Sequence, residues 1–242
     1  MEDALTPDPC DALPRPRRRP QEHGRTPFDG LRPWSAITHG IGAALAILGT
    51  VLLLVKAVIT GADAWKLVSF SIYGASMIGL YTASTLYHSV HTTAAKRIAL
   101  RKYDHASIYF LIAGTYTPVC LTALRGPWGW SMFGIIWVLA IAGLVMTLAW
   151  INCPRWLTST IYIAMGWLAL VAIYPLYLTL GVSGVLWLLS GGILYTIGGG
   201  LYALKWPARD NPRFGCHEIF HVFIVLGSVA HFMMIYHVLL PL

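Results

Sequence analysis

The chain has 242 residues, 57% of them hydrophobic and 11% charged, and its mean hydropathy is +0.64. Soluble domains carry about 25% charged residues, so this composition cannot cover a water-facing surface. A soluble enzyme, a disordered chain and a disulfide scaffold are excluded. At about 20 residues per spanning helix, the apolar residues suffice for several membrane crossings and little else.

Residues 1–33 hold seven prolines and six arginines. Such a segment cannot bury a core and reads as a disordered basic tail. It is not a signal peptide, because proline and charge follow the basic stretch where a short apolar region would be needed. Seven continuous apolar runs come next, over 34–55, 67–87, 106–124, 128–151, 156–180, 182–204 and 219–240. Each is long enough to cross about 30 Å of hydrocarbon at 1.5 Å per residue. Breakers or charges separate them, among them Gly61, Asp63, Gly126-Pro127, Pro154, Gly181 and Pro207. No run alternates with period two, which argues against a β-barrel. The expected fold is therefore all-α: a seven-transmembrane helix bundle over 34–242.

Basic residues set the orientation. With a cytoplasmic N-terminus, fourteen of the seventeen Lys and Arg fall on the inner side: six in the tail, then Lys96, Arg97, Arg101 and Lys102 in a 92–102 loop, Arg155, and Lys205, Arg209 and Arg213. Only Lys56, Lys66 and Arg125 fall outside. Seven spans then put the C-terminus outside. The +7 charge reads as a topology and anionic-lipid signal, with membrane lipids as partners and no nucleic acid. The four cysteines make no disulfide framework, since Cys10, Cys153 and Cys216 share the reducing side and Cys120 stands alone.

Ionisable residues inside spans are costly and usually functional. Eight of the nine histidines lie in or beside spans, all but His23. With the topology above, His39, His88, His91, Asp104, His105, His217 and His221 fall in one layer near the inner face. Ser84 and His88 are i,i+4 and share a helix face, as do His217 and His221. Two imidazoles at that spacing can bind one metal, and His88 supplies a third nitrogen from another helix. Three histidines and a water make a catalytic-type zinc site, in which Asp104 can hold or deprotonate the water. His231 and His237 read as helix–helix hydrogen-bonding groups. His231 is about 15 Å along the helix from His221, too far to share an ion.

The same residues carry a resemblance. Ala36-Ile-Thr-His39-Gly-Ile-Gly, Ser84-Thr-Leu-Tyr-His88, Lys102-Tyr-Asp104-His-Ala-Ser-Ile, Ala113-Gly-Thr-Tyr-Thr-Pro118 and His217-Glu-Ile-Phe-His221 resemble, in order and spacing, the hemolysin III family. That family is the bacterial branch of a superfamily with the progestin and adiponectin receptors, and is related more distantly to the alkaline ceramidases. The resemblance spans about 34–242. It implies zinc on His88, His217 and His221, with Asp104 contacting the zinc-bound water and Ser84 one turn above His88. Ser35 departs from the pattern, standing where relatives usually carry asparagine.

His217-Glu218-Ile-Phe-His221 also satisfies the H-E-x-x-H pattern of metalloproteases, where the glutamate is the general base. Glu218 projects about 100° from His217 on the helical wheel and reads better as a carboxylate at a helix N-terminus. The expected function is a zinc-dependent hydrolase of a lipid amide or ester. The alternatives are a non-enzymatic membrane protein (cytolysin or pore former, regulator of membrane energetics, receptor or sensor) with structural zinc and, more remotely, an intramembrane metalloprotease.

Overall fold

The computed structural model describes residues 31–208, 211 and 214–242. The expected tail over 1–33 thus lies almost wholly outside the described residues, as do Arg209 and Arg213. Among the described residues all regular structure is helical and no strand occurs. The helices are α1 (Pro33–Ile59), α2 (Ala64–Ser89), α3 (Ala94–Pro118), α4 (Pro127–Ala149), α5 (Arg155–Trp167), α6 (Ile173–Leu204) and α7 (Cys216–Met234). Six stretches are long and apolar enough to cross a membrane: Pro33–Ile59, Ala64–Ser89, Ala94–Ala123, Pro127–Ala149, Arg155–Leu204 and Cys216–Leu239.

The helix starts follow local chemistry. Pro33 and Pro127 occupy the first turns of α1 and α4, where a missing N–H costs nothing. Asp63 caps α2 by accepting a hydrogen bond from Lys66 N at 2.9 Å.

Two elements differ from the sequence expectation. First, α3 starts at Ala94, so the basic stretch expected as a 92–102 loop is mostly helix. Lys and Arg are good helix formers, and their long side chains find partners while the backbone coils. Arg97 donates to Val90 O at 3.2 Å and lies 4.5 Å from the Tyr87 ring. Arg101 donates to Asn152 Oδ1 at 3.1 Å, and Lys102 to Leu148 O at 2.7 Å. Asp104 consequently sits about 15 Å into the helix instead of opening it.

Second, the expected break between the fifth and sixth runs is a single residue inside one 50-residue apolar stretch. Gly181 adopts φ 64° and ψ −174°, a conformation that a residue with a Cβ rarely enters. The two arms pack on each other. Trp167 Nε1 donates to Thr196 Oγ1 at 2.8 Å, and a Cβ on Gly199 would meet Ile163 at 3.3 Å. Both pairs are nearly symmetric in sequence about Gly181, as an antiparallel hairpin requires. The first arm tightens into a 3₁₀ segment at Leu168–Ala172. Its displaced backbone groups are recovered by Tyr116 of α3, whose hydroxyl contacts Met165 O at 2.9 Å and Gly166 O at 2.7 Å and accepts from Ala169 N at 2.8 Å.

Helices adjacent in the chain pack together except α4 and α5, where α5 packs on α3 instead, and α7 closes the bundle against α1. Phe70, Tyr73, Tyr81 and Tyr109 fill the interior. Small residues admit them: Gly42 lies against the Tyr81 ring and Gly143 against the Tyr109 ring. The outer face of α1 presents Ile37, Ile41, Leu45 and Leu48, the apolar surface that a lipid-facing helix needs.

Candidate metal centre

The end of α2 meets the start of α7. His88 sits in the last turn of α2, and His217 and His221 occupy the first two turns of α7. Their potential ligand atoms all lie within 4.8 Å of one another. His88 Nε2 and His217 Nε2 are 3.1 Å apart. Two zinc–nitrogen bonds of 2.0–2.1 Å at a tetrahedral angle would separate their nitrogens by about 3.4 Å, so this pair is already near ligand spacing. His88 and His221 are buried, and His217 is partly open.

Supporting contacts orient the rings. His221 Nδ1 lies 3.3 Å from Ser35 O. A carbonyl only accepts, so that nitrogen carries the proton and Nε2 keeps its lone pair for the cluster. Ser35 is itself held, because its hydroxyl donates to Glu218 Oε1 at 2.9 Å. Glu218 also pairs with Arg32 at 3.1 Å and accepts from Gly215 N at 2.9 Å. It is therefore a buried anchor at the α7 N-terminus, tying that helix to α1, and it does not line the cavity described below. Arg32 N donates to His88 O at 3.1 Å, so one short stretch before α1 touches both ligand-bearing helices.

The cluster opens into a cavity of about 1060 Å³, also lined by His39, Ser84 and Asp104. His39 stacks on His221 with ring centroids 3.6 Å apart. Neither of its ring nitrogens, nor Ser84 Oγ, has a hydrogen-bond partner among the described residues, although all three atoms are buried. Buried polar atoms left without partners are costly unless a ligand, ion or water serves them. A three-imidazole donor set beside such atoms fits a metal ion with an open coordination position. Asp104 Oδ2 lies 3.2 Å from His105 Nδ1 without hydrogen-bond alignment, and Asp104 borders the same cavity.

The structure thus brings His39, Ser84, His88, Asp104, His105, His217 and His221 to one cavity. His91 lies on the α2–α3 connection and does not border it. His231 lines the far end of the cavity, packed against Gly191 and the Tyr195 ring. Sequence reasoning missed the Arg32–Ser35–Glu218 support. Ser35 supplies its hold on His221 through a backbone carbonyl, which no residue-type signal reveals.

A multi-pass helical membrane protein with a three-histidine cluster inside its bundle is the class that the fold and site define. The haemolysin-III related family model matches residues 33–232, and the chain belongs to that family. It is 42% identical to Hemolysin-3 of Bacillus cereus over 207 residues, 86% of this chain and 91% of that one. It is 42% identical to the Hemolysin-3 homolog of Bacillus subtilis (strain 168) over 198 residues, 82% and 89% of the two chains. The human Monocyte to macrophage differentiation factor is 25% identical over 177 residues, 70% of each chain. The protein is an integral, multi-pass cell-membrane protein.

Proposed function

We propose that the chain is a zinc-dependent hydrolase that cleaves a lipid amide or ester within the membrane. The observation that carries this reading is the convergence of His88, His217 and His221 on a cavity of about 1060 Å³ that also holds Asp104. Ligand sites run roughly 300–1,000 Å³, and a purely structural ion needs neither that space nor a carboxylate beside it. His88, His217 and His221 would hold the zinc. When bound, the ion would supply Lewis acidity and lower the pKa of a water. Asp104 accepts a proton as general base, and Ser84 Oγ offers a hydrogen bond to the reacting group. The resemblance to alkaline ceramidases favours an amide.

The same reading makes the Gly181 hairpin two spans. That gives seven in all over 34–242, with 1–33 as a cytoplasmic tail, the C-terminus outside, membrane lipids as partners and no nucleic acid. The cluster then lies near the inner face, reached laterally or from the inner leaflet. Outside-only labelling of single cysteines should reach position 242 and not position 98; the reverse overturns this topology. Purified protein should contain zinc and turn over lipids in mixed micelles, with turnover lost on chelation and restored by zinc. Wild type that holds zinc yet cleaves no lipid in such a screen sinks the hydrolase.

The names of the two Bacillus relatives favour a second reading, a membrane-active cytolysin with structural zinc. Lysis of red cells by wild type and Asp104→Asn alike would support it.

A further inference from the structure

We propose that the site takes an amphiphile with a phosphate-bearing headgroup, seated on Arg155 and Lys205 beside the Arg32–Glu218 pair. As a statement about substrate this rests on the hydrolase reading; as a statement about binding it does not.

Beside the large cavity lies a small one of about 200 Å³, lined by Arg32, Arg155, Lys205, Asn211, Gly215, Cys216 and His217. Four of these, Arg32, Arg155, Lys205 and His217, line both cavities. The small cavity therefore adjoins the metal cluster, and among the described residues no carboxylate lines it. In the large one, among the described residues, five cationic side chains and one carboxylate, Asp104, form the lining.

A general excess of inner basic residues does not produce this arrangement, because the basic residues are sorted. Arg97 and Arg101, i,i+4 on α3, border the large cavity, whereas Lys96 and Lys102 do not. Among the described residues Arg155 and Lys205 have no carboxylate partner. Arg155 lies over the Tyr202 ring with its guanidinium carbon 4.9 Å from the centroid, which holds the group without neutralising it.

Lys205 ends α6 in the left-handed region at φ 55° and ψ 40°. Glycine usually takes that position, and a side chain there costs about 1 kcal/mol. The strain is borne at a residue that borders both cavities. Guanidinium groups bind phosphate through paired N–H donors. With Arg32 paired to Glu218, the two cations without a carboxylate partner, Arg155 and Lys205, suit a single phosphate at this cavity of about 200 Å³. The rest of the molecule has a place as well. The large cavity reaches from His217 to His231, about 21 Å along α7, and passes Ile112, Leu176 and Leu188. A phosphate at the cationic end directs an acyl chain down that apolar path, past the histidine cluster.

The test is equilibrium binding to the purified full chain in neutral detergent. The probes are a lysophosphatidic acid, the monoacylglycerol of the same chain and inorganic phosphate. The lysophosphatidic acid should bind at least about tenfold tighter than the monoacylglycerol, a difference of about 1.4 kcal/mol, and inorganic phosphate should compete only weakly. Arg155→Gln with Lys205→Gln should bring the two lipids to equal affinity, while Arg155→Lys keeps most of the preference. His221→Ala, at a metal-cluster residue that does not line the small cavity, should lose metal and keep the preference. Equal affinity in wild type, or an unchanged preference in the folded double variant, overturns the proposal. Inorganic phosphate binding as tightly as the lipid would make this a free-phosphate site and also overturns it. If neutral lipids are cleaved with no headgroup preference, the hydrolase stands and this proposal falls. If the preference is found without turnover, the reverse holds.

Discussion

The two ends of α7 carry the same residue type and do different things. At its start His217 and His221 meet His88 of α2, with His39 of α1 stacked behind. Near its end His231 meets Gly191 and Tyr195, and no group of three potential ligands gathers there among the described residues. Buried imidazoles alone therefore do not make a site. What gathers one is a second helix end arriving in the same layer, with a backbone carbonyl that fixes the free nitrogen of His221.

The strongest way to break the comparison is to remove ligands from either end. Alanine at His88, His217 or His221 should each weaken metal binding by roughly 100-fold or more, since loss of any nitrogen opens the tetrahedral set. His231→Ala should leave metal content unchanged. Mass-spectrometric metal analysis of the purified variants checks this, and full occupancy in His88→Ala would show that the ion does not bridge helices.

Next in size is the carboxylate. Asp104→Asn keeps the shape and removes the proton acceptor. It should retain metal and lose turnover by roughly 100-fold, the usual scale for general-base loss.

Glu218→Gln sharpens the contrast between ligand and support. The charge it removes meets Arg32, Ser35 and Gly215, so thermal unfolding in detergent should show a loss of about 1–2 kcal/mol. Metal affinity should fall up to about tenfold, because Ser35 orients His221. If this variant lost all turnover while Asp104→Asn stayed active, Glu218 would be the base after all.

The smallest effects test the packing around His231. A Cβ at Gly191 would come within 2.5 Å of His231 Nε2, so Gly191→Ala should destabilise by about 1–3 kcal/mol. Gly200 has open space around it, and Gly200→Ala should be neutral or slightly stabilising. Equal losses from both alanines would mean that close packing on His231 is not what Gly191 provides.

Hydropathy and spacing alone determined that the chain is a helical membrane protein. They also paired His217 with His221 and Ser84 with His88, because residues four apart on a helix must share a face whatever surrounds it. The meeting of His88 with the His217–His221 pair was legible too, since helix ends fall in layers. Three features were decided only by the tertiary structure. The start of α3 at Ala94 depends on distant acceptors, Asn152 and Leu148, that let its basic residues coil. The hold on His221 runs through Ser35 O, an atom that every residue type possesses. The cavity is lined by residues from all seven helices, and a void has no residue signature. Local periodicity is written into the chain, but a site made where separate helices meet depends on how they pack.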